Sequence, residues 1–180
     1  MKKSPPLAAV FRKQLPIYLN GQREALDECF ELLGKELADG VPSATPLCES
    51  LLNRAVELKD VALLNRLIEL EPAVDLQDQA LAAGQSGWKE GYDALRAQMS
   101  GDIPVIGISL LTAFQMGDPN ACSLVGSKLM RAQQVQDFMI GARERGISND
   151  EVIDFLENSG LTWAVDFGLG LVDEWANRKN

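Results

Sequence analysis

The sequence predicts an all-α protein, and three observations carry that reading. Alternating runs rich in Val, Ile and Thr are almost absent; VIGIS (Val105 to Ser109) comes nearest and leads into a helical pattern. Most segments instead place apolar residues at i, i+3, i+4 and i+7, with Ala, Leu, Glu, Arg and Gln between them. Alanines also recur at Ala25, Ala55, Ala83, Ala113 and Ala142, spaced by 30, 28, 30 and 29 residues. The expected architecture is an array of four to five helix-turn-helix units with a period near 29 residues.

Taken in order, residues 1–20 form a basic N-terminal arm with Pro5-Pro6, Phe11 and Tyr18, expected to pack on the acidic body or to be partly mobile. Residues 21–180 are expected as one helical-repeat domain. Twelve residues after the first four alanines stand Leu37, Leu67, Leu95 and Val125; in the fifth unit Asp154 takes that place, with Phe155 beside it. Three residues before the last four stand Leu52, Ala80, Leu110 and Met139, against Gln22 in the first unit.

The turn inside each unit is marked by Lys59, Gly87, Gly117 and Gly146, four residues after its alanine. Glycine ends a helix in the left-handed conformation. In Gly117-Asp118-Pro119 the aspartate can cap a following helix and the proline suits its first turn. Ser148 and Glu151 have capping-box spacing. By analogy LLNRAVELKDVALLNRLIEL (Leu51 to Leu70) is a helical hairpin with its corner at Lys59-Asp60, rather than one rod. Breakers then separate the units, in ADGVPSATP (38–46), EPAVDLQD (71–78) and SGDIP (100–104). Trp163, Phe167, Leu169, Leu171 and Trp175 would close the stack as an atypical unit at about residues 158–180.

This frame resembles ankyrin repeats, which carry alanine in the first helix, glycine four residues on, and Val and Leu pairs in the second helix. RAVELKDVALLNRLIELEPAVD and TAFQMGDPNACSLVGSKLM resemble that pattern, and PAVDLQD resembles the segment after the family's second helix. The likeness spans roughly residues 22–157 in four or five divergent units. It departs from the family in lacking the Thr-Pro-Leu-His opening and in its shorter period, against about 33 residues. The resemblance therefore implies β-hairpins that are shortened or missing. An unrelated array of α-hairpins is the competing architecture.

Composition narrows the function. The chain carries net charge −9, but residues 1–23 hold five basic residues and no acid. That leaves 12 basic against 26 acidic residues in the remainder, a charge of −14. Such a body repels nucleic acid and anionic lipid and attracts basic protein surfaces; acidity for solubility alone is the bland alternative. With no apolar run near the roughly 18 residues of a membrane span, and only PPLAAVF as an apolar patch near the start, the protein is expected in the cytoplasm. Cys29, Cys48 and Cys122 are odd in number and form no CxxC pair, which fits buried thiols in a reducing compartment.

The absence of histidine removes the commonest general base and metal ligand, and with it every Ser-His-Asp, Cys-His or HExxH arrangement. No GxxxxGK[ST] occurs, and FGLGLVDEW (Phe167 to Trp175) lacks the third glycine and the preceding strand of a dinucleotide site. Asp150, Asp154 and Glu157 fall on one helix face; they read as solvated acids, with Asp150 complementing the helix dipole.

The expected function is that of a non-enzymatic protein-binding module with no cofactor and no metal. Its expected partner is a protein with a basic surface, as for an immunity protein or antitoxin. A scaffold, adaptor or chaperone subunit is the alternative, and would instead expose an apolar groove; a carboxylate-only, metal-dependent enzyme is a remote third. Candidate partner-binding residues are Glu57 and Asp60 at the first corner, Glu69, Glu71, Asp75 and Asp78 in the following loop, and Trp88 and Tyr92. The last two share a helix face and read either as interface anchors or as core between neighbouring units.

Overall fold

The computed structural model describes residues 6–99 and 103–178, all of whose regular elements are helical. Lys2, Lys3 and Pro5, counted above with the basic arm, lie outside the described residues. The chain divides into two compact units, residues 1–75 and 76–180.

In the first unit α1 (Leu7–Leu19) leads through a 3-10 turn (Arg23–Leu26) into α2 (Asp27–Ala38), α3 (Ala44–Leu58) and α4 (Val61–Ile68). Phe11 and Tyr18, on the segment expected as an arm, are buried. Phe11 packs edge-on against Phe30 of α2, ring centroids 5.7 Å apart. Leu26, Leu33, Leu52, Leu63, Leu64 and Leu67 complete this core. The hairpin of α3 and α4, predicted for Leu51 to Leu70, breaks at Lys59, whose φ of 52° is left-handed, and at Asp60, whose carboxylate accepts the Leu63 amide and so caps α4.

The second unit contains α5 (Gln77–Gln85), α6 (Lys89–Gln98), α7 (Leu110–Met116), α8 (Lys128–Glu144), α9 (Asn149–Asn158) and α10 (Thr162–Asn177). Phe114, Phe138 and Phe155 form a ring cluster with centroids 5.3–5.8 Å apart. The Ser148–Glu151 capping box starts α9. FGLGLVDEW lies inside α10, where Gly168 is buried and a Cβ would sit 3.1 Å from Ile153 and Met139. Among the described residues no helix is long and apolar enough to cross a membrane.

The four predicted corners share one backbone arrangement. Gly87, Gly117 and Gly146 have φ of 68°, 67° and 73°. At each corner, and at Lys59, the next residue's N–H returns to the carbonyl of the marked alanine: Asp60 to Ala55, Trp88 to Ala83, Asp118 to Ala113 and Ile147 to Ala142. Those bonds consume carbonyls that a helix end leaves orphaned. Beyond the corners the four segments diverge. Helices begin at Val61, Lys89 and Asn149, but the helix expected after Gly117-Asp118-Pro119 does not form. Residues 118–121 make a turn closed by the Ala121 N–H on the Asp118 carbonyl, and the chain then runs irregularly to Ser127. Val125, which shares its repeat position with the buried Leu67 and Leu95, is 61% exposed.

Candidate functional site

A groove lies in the second unit, lined in part by the irregular segment that follows Gly117. It encloses about 500 Å³ and is walled by residues 106–111, by Cys122, Ser123 and Val125, and by Gln134, Asp137 and Phe138 of α8. Each wall has an identifiable support. Gln77 clasps the loop before α7 from both sides, donating from Nε2 to the Pro104 carbonyl and accepting the Ile106 N–H on Oε1. Gly107 turns that loop with φ of 83°, a conformation suited to glycine. The Val105 N–H donates to the Ala121 carbonyl at 2.7 Å and ties the loop to the irregular segment. Gln134 and Arg131 of α8 donate to the Val125 and Gly126 carbonyls, which holds that segment beside the helix.

The site is apolar at its rim as well as inside. Ile106 is 73% exposed, and Met130, 56% exposed, shares a helix face with the lining residues Gln134 and Asp137. Leu129, 80% exposed, stands beside it in the first turn of α8. Asp137 is the one charged side chain in the lining, and it is exposed. Burial pushes the Cys122 thiol up to about 11, so it lines the groove as a neutral side chain. Such a lining presents mainly apolar surface, with Asp137 as its one charged group.

The residues singled out in the sequence lie elsewhere. Glu57 is exposed, bonded to Arg54 at 2.8 Å, and lines a second cleft of about 500 Å³ with Arg12 and Leu15 in the first unit. Asp60 is bound up inside its own unit: besides the Leu63 amide it accepts the Arg23 guanidinium at 2.9 Å and the Tyr18 hydroxyl at 3.3 Å. Burial raises the Asp60 pKa, but those donors outweigh it and hold the carboxyl below its usual value. Glu69, Glu71 and Asp75 in the first unit and Asp78 in the second are all exposed, and Glu71 has φ of 47°. Trp88 and Tyr92 are buried, 8% and 1% exposed; Tyr92 donates to Asp118 at 3.0 Å, and burial followed by the Asp118 charge pushes its pKa up. Both rings serve packing inside the second unit. Asp150, Asp154 and Glu157 are exposed along α9, and among the described residues no three metal-ligating side chains converge.

No groove residue stood among the sequence candidates. The available signal was the composition of residues 119–127, PNACSLVGS, which carries no charge and few strong helix formers directly after a helix-stop corner. No family model, no curated protein and no solved structure matches the chain.

Proposed function

We propose that this protein is a non-enzymatic protein-binding module of the adaptor or chaperone type, whose groove in the second unit holds an apolar segment of another protein. The observation that carries the reading is the solvent-exposed apolar rim, Ile106, Val125 and Met130, around a groove whose walls are individually braced. Contiguous apolar surface left in water costs roughly 25 cal/mol per Å², and it marks interaction sites when polar residues surround it. The shared corner geometry at Lys59, Gly87, Gly117 and Gly146 supports deriving both units from one divergent, ankyrin-like helical-hairpin repeat. Three buried free thiols support work in a reducing compartment such as the cytoplasm.

A second reading, an acidic immunity or antitoxin-type protein gripping a basic partner, is supported by net charge −9 and by the exposed carboxylates Glu69, Glu71 and Asp78. Affinity capture from the source cell with full-length protein separates the two. The groove reading expects the captured protein to survive washing in high salt, to disappear with Val125→Glu, and to persist when Glu69, Glu71 and Asp78 are changed together to Lys. The reverse pattern establishes the acidic reading and removes the groove from the function.

A further inference from the structure

We infer that Asn20-Gly21, where α1 ends, is a site of spontaneous deamidation held closed by the Asp60 carboxylate. Asp60 grips the chain on both sides of the pair, and release of that grip opens the site to reaction.

The chemistry follows from the sequence. Asn20-Gly21 is the one Asn-Gly step in the chain, and both residues are exposed. The Gly21 backbone nitrogen can attack the carbonyl carbon of the Asn20 side chain, expelling ammonia and closing a cyclic imide. Water then opens the imide at one carbonyl to give aspartate, or at the other to give isoaspartate, which carries an extra backbone methylene. Glycine favours the attack because no Cβ crowds the nitrogen.

The folded geometry holds the step back. Ring closure needs the Gly21 nitrogen swung to the side of the Asn20 Cβ. At Asn20 ψ is 10°, which instead sets that nitrogen nearly eclipsed with the backbone nitrogen of Asn20. The Gly21 N–H also donates to the Tyr18 carbonyl at 3.0 Å, and the Asn20 N–H to the Pro16 carbonyl at 3.1 Å. Attack therefore requires this turn to open locally.

A staple at the start of α4 keeps the turn shut. Tyr18, before the pair, donates its hydroxyl to Asp60 at 3.3 Å, and Arg23, after it, donates to the same carboxylate at 2.9 Å. The Arg23 guanidinium also lies over the Tyr18 ring, 4.5 Å from its centroid. The loop from Tyr18 to Arg23 is thus pinned at both ends on one group. Once formed, a carboxylate at position 20 stands at the C-terminal end of α1, where the helix dipole disfavours negative charge. The product loosens the turn that restrained the reaction.

The test is peptide mapping by mass spectrometry of the full-length chain, incubated in mildly alkaline buffer with and without urea. Folded wild type should convert Asn20 at least tenfold more slowly than the unfolded chain. Asp60→Asn keeps a good helix cap but loses the charge, and should speed conversion at least threefold in native buffer. Arg23→Gln, which removes the exposed arm of the staple, should act in the same direction. Circular dichroism checks that both variants keep their helices, and Asn158-Ser159 at the end of α9 should keep its wild-type rate. Equal rates in folded and unfolded wild type, or no conversion in urea, would overturn the site. Variants that leave Asn20 as slow as wild type, or that speed Asn158 equally, would overturn the staple.

Discussion

Asp60 in the first unit and Asp118 in the second stand in equivalent surroundings. Each follows a left-handed residue, lies five positions after a fully buried alanine, and accepts a tyrosine hydroxyl and an arginine: Tyr18 and Arg23 at Asp60, Tyr92 and Arg96 at Asp118. The difference lies in what the carboxylate does next. Asp60 caps a helix whose sequence, VALLNRLI, supplies strong formers and an apolar stripe. Asp118 precedes PNACSLVGS, whose small, polar and β-branched residues do not sustain a helix, and its side chain receives only Tyr92 and Arg96. A corner can thus be specified locally while the element after it is decided by its own residues. Where the second element fails, irregular chain lines one wall of the groove.

The largest effect expected from breaking this comparison is at Asp118. Arg96 is 10% exposed there and also holds the Ile103 carbonyl at 2.8 Å, while the Tyr92 ring is almost completely buried. Asp118→Ala removes the carboxylate that both donors share in a poorly hydrated place, and should cost about 3 kcal/mol. At Asp60 the partner guanidinium is 60% exposed and returns to water when released. Asp60→Ala should therefore cost about 1–2 kcal/mol, mostly the helix cap. Urea unfolding followed by fluorescence measures both. Equal losses would show that arginine burial does not separate the two corners.

The next effect is a pH dependence at Asp60. Because its folded pKa lies below the usual 3.8, the charged form is favoured by folding. That stabilisation is complete above the ordinary carboxylate range and is lost as pH falls through the folded value. The stability gap between wild type and Asp60→Asn should be constant from pH 7 to about 5 and close progressively below about 4. A gap that widened on acidification would mean that Asp60 is favoured in its neutral form.

The all-helical class, the corner at Lys59-Asp60, the left-handed glycines and the Ser148–Glu151 capping box were legible because each arises from neighbouring residues. Helix α1 is masked in the sequence by its basic charge without acids, which reads as an arm although Phe11 and Tyr18 are buried and Pro16 sits inside the helix. Asp60 and Tyr92 stand out by residue type, yet their surroundings are set by partners far along the chain, Tyr18 42 positions from Asp60 and Asp118 26 positions from Tyr92. The groove was hardest to foresee. Its walls come from three stretches of the second unit that are distant in sequence.

The smallest effects test whether the corners themselves are equivalent. At Gly117 a Cβ would meet no atom within 4 Å, so Gly117→Ala carries no steric clash with its surroundings and only the penalty of a left-handed backbone, about 1 kcal/mol. Lys59 bears that penalty already, at φ of 52°. Lys59→Gly should relieve it, but glycine also gives the unfolded chain more freedom, which leaves a net gain of about 0.5 kcal/mol. Opposite signs in the two urea midpoints, with the Gly117→Ala loss the larger, are the outcome expected of matched corners. A loss on Lys59→Gly would mean that the lysine side chain contributes more at its corner than its backbone costs.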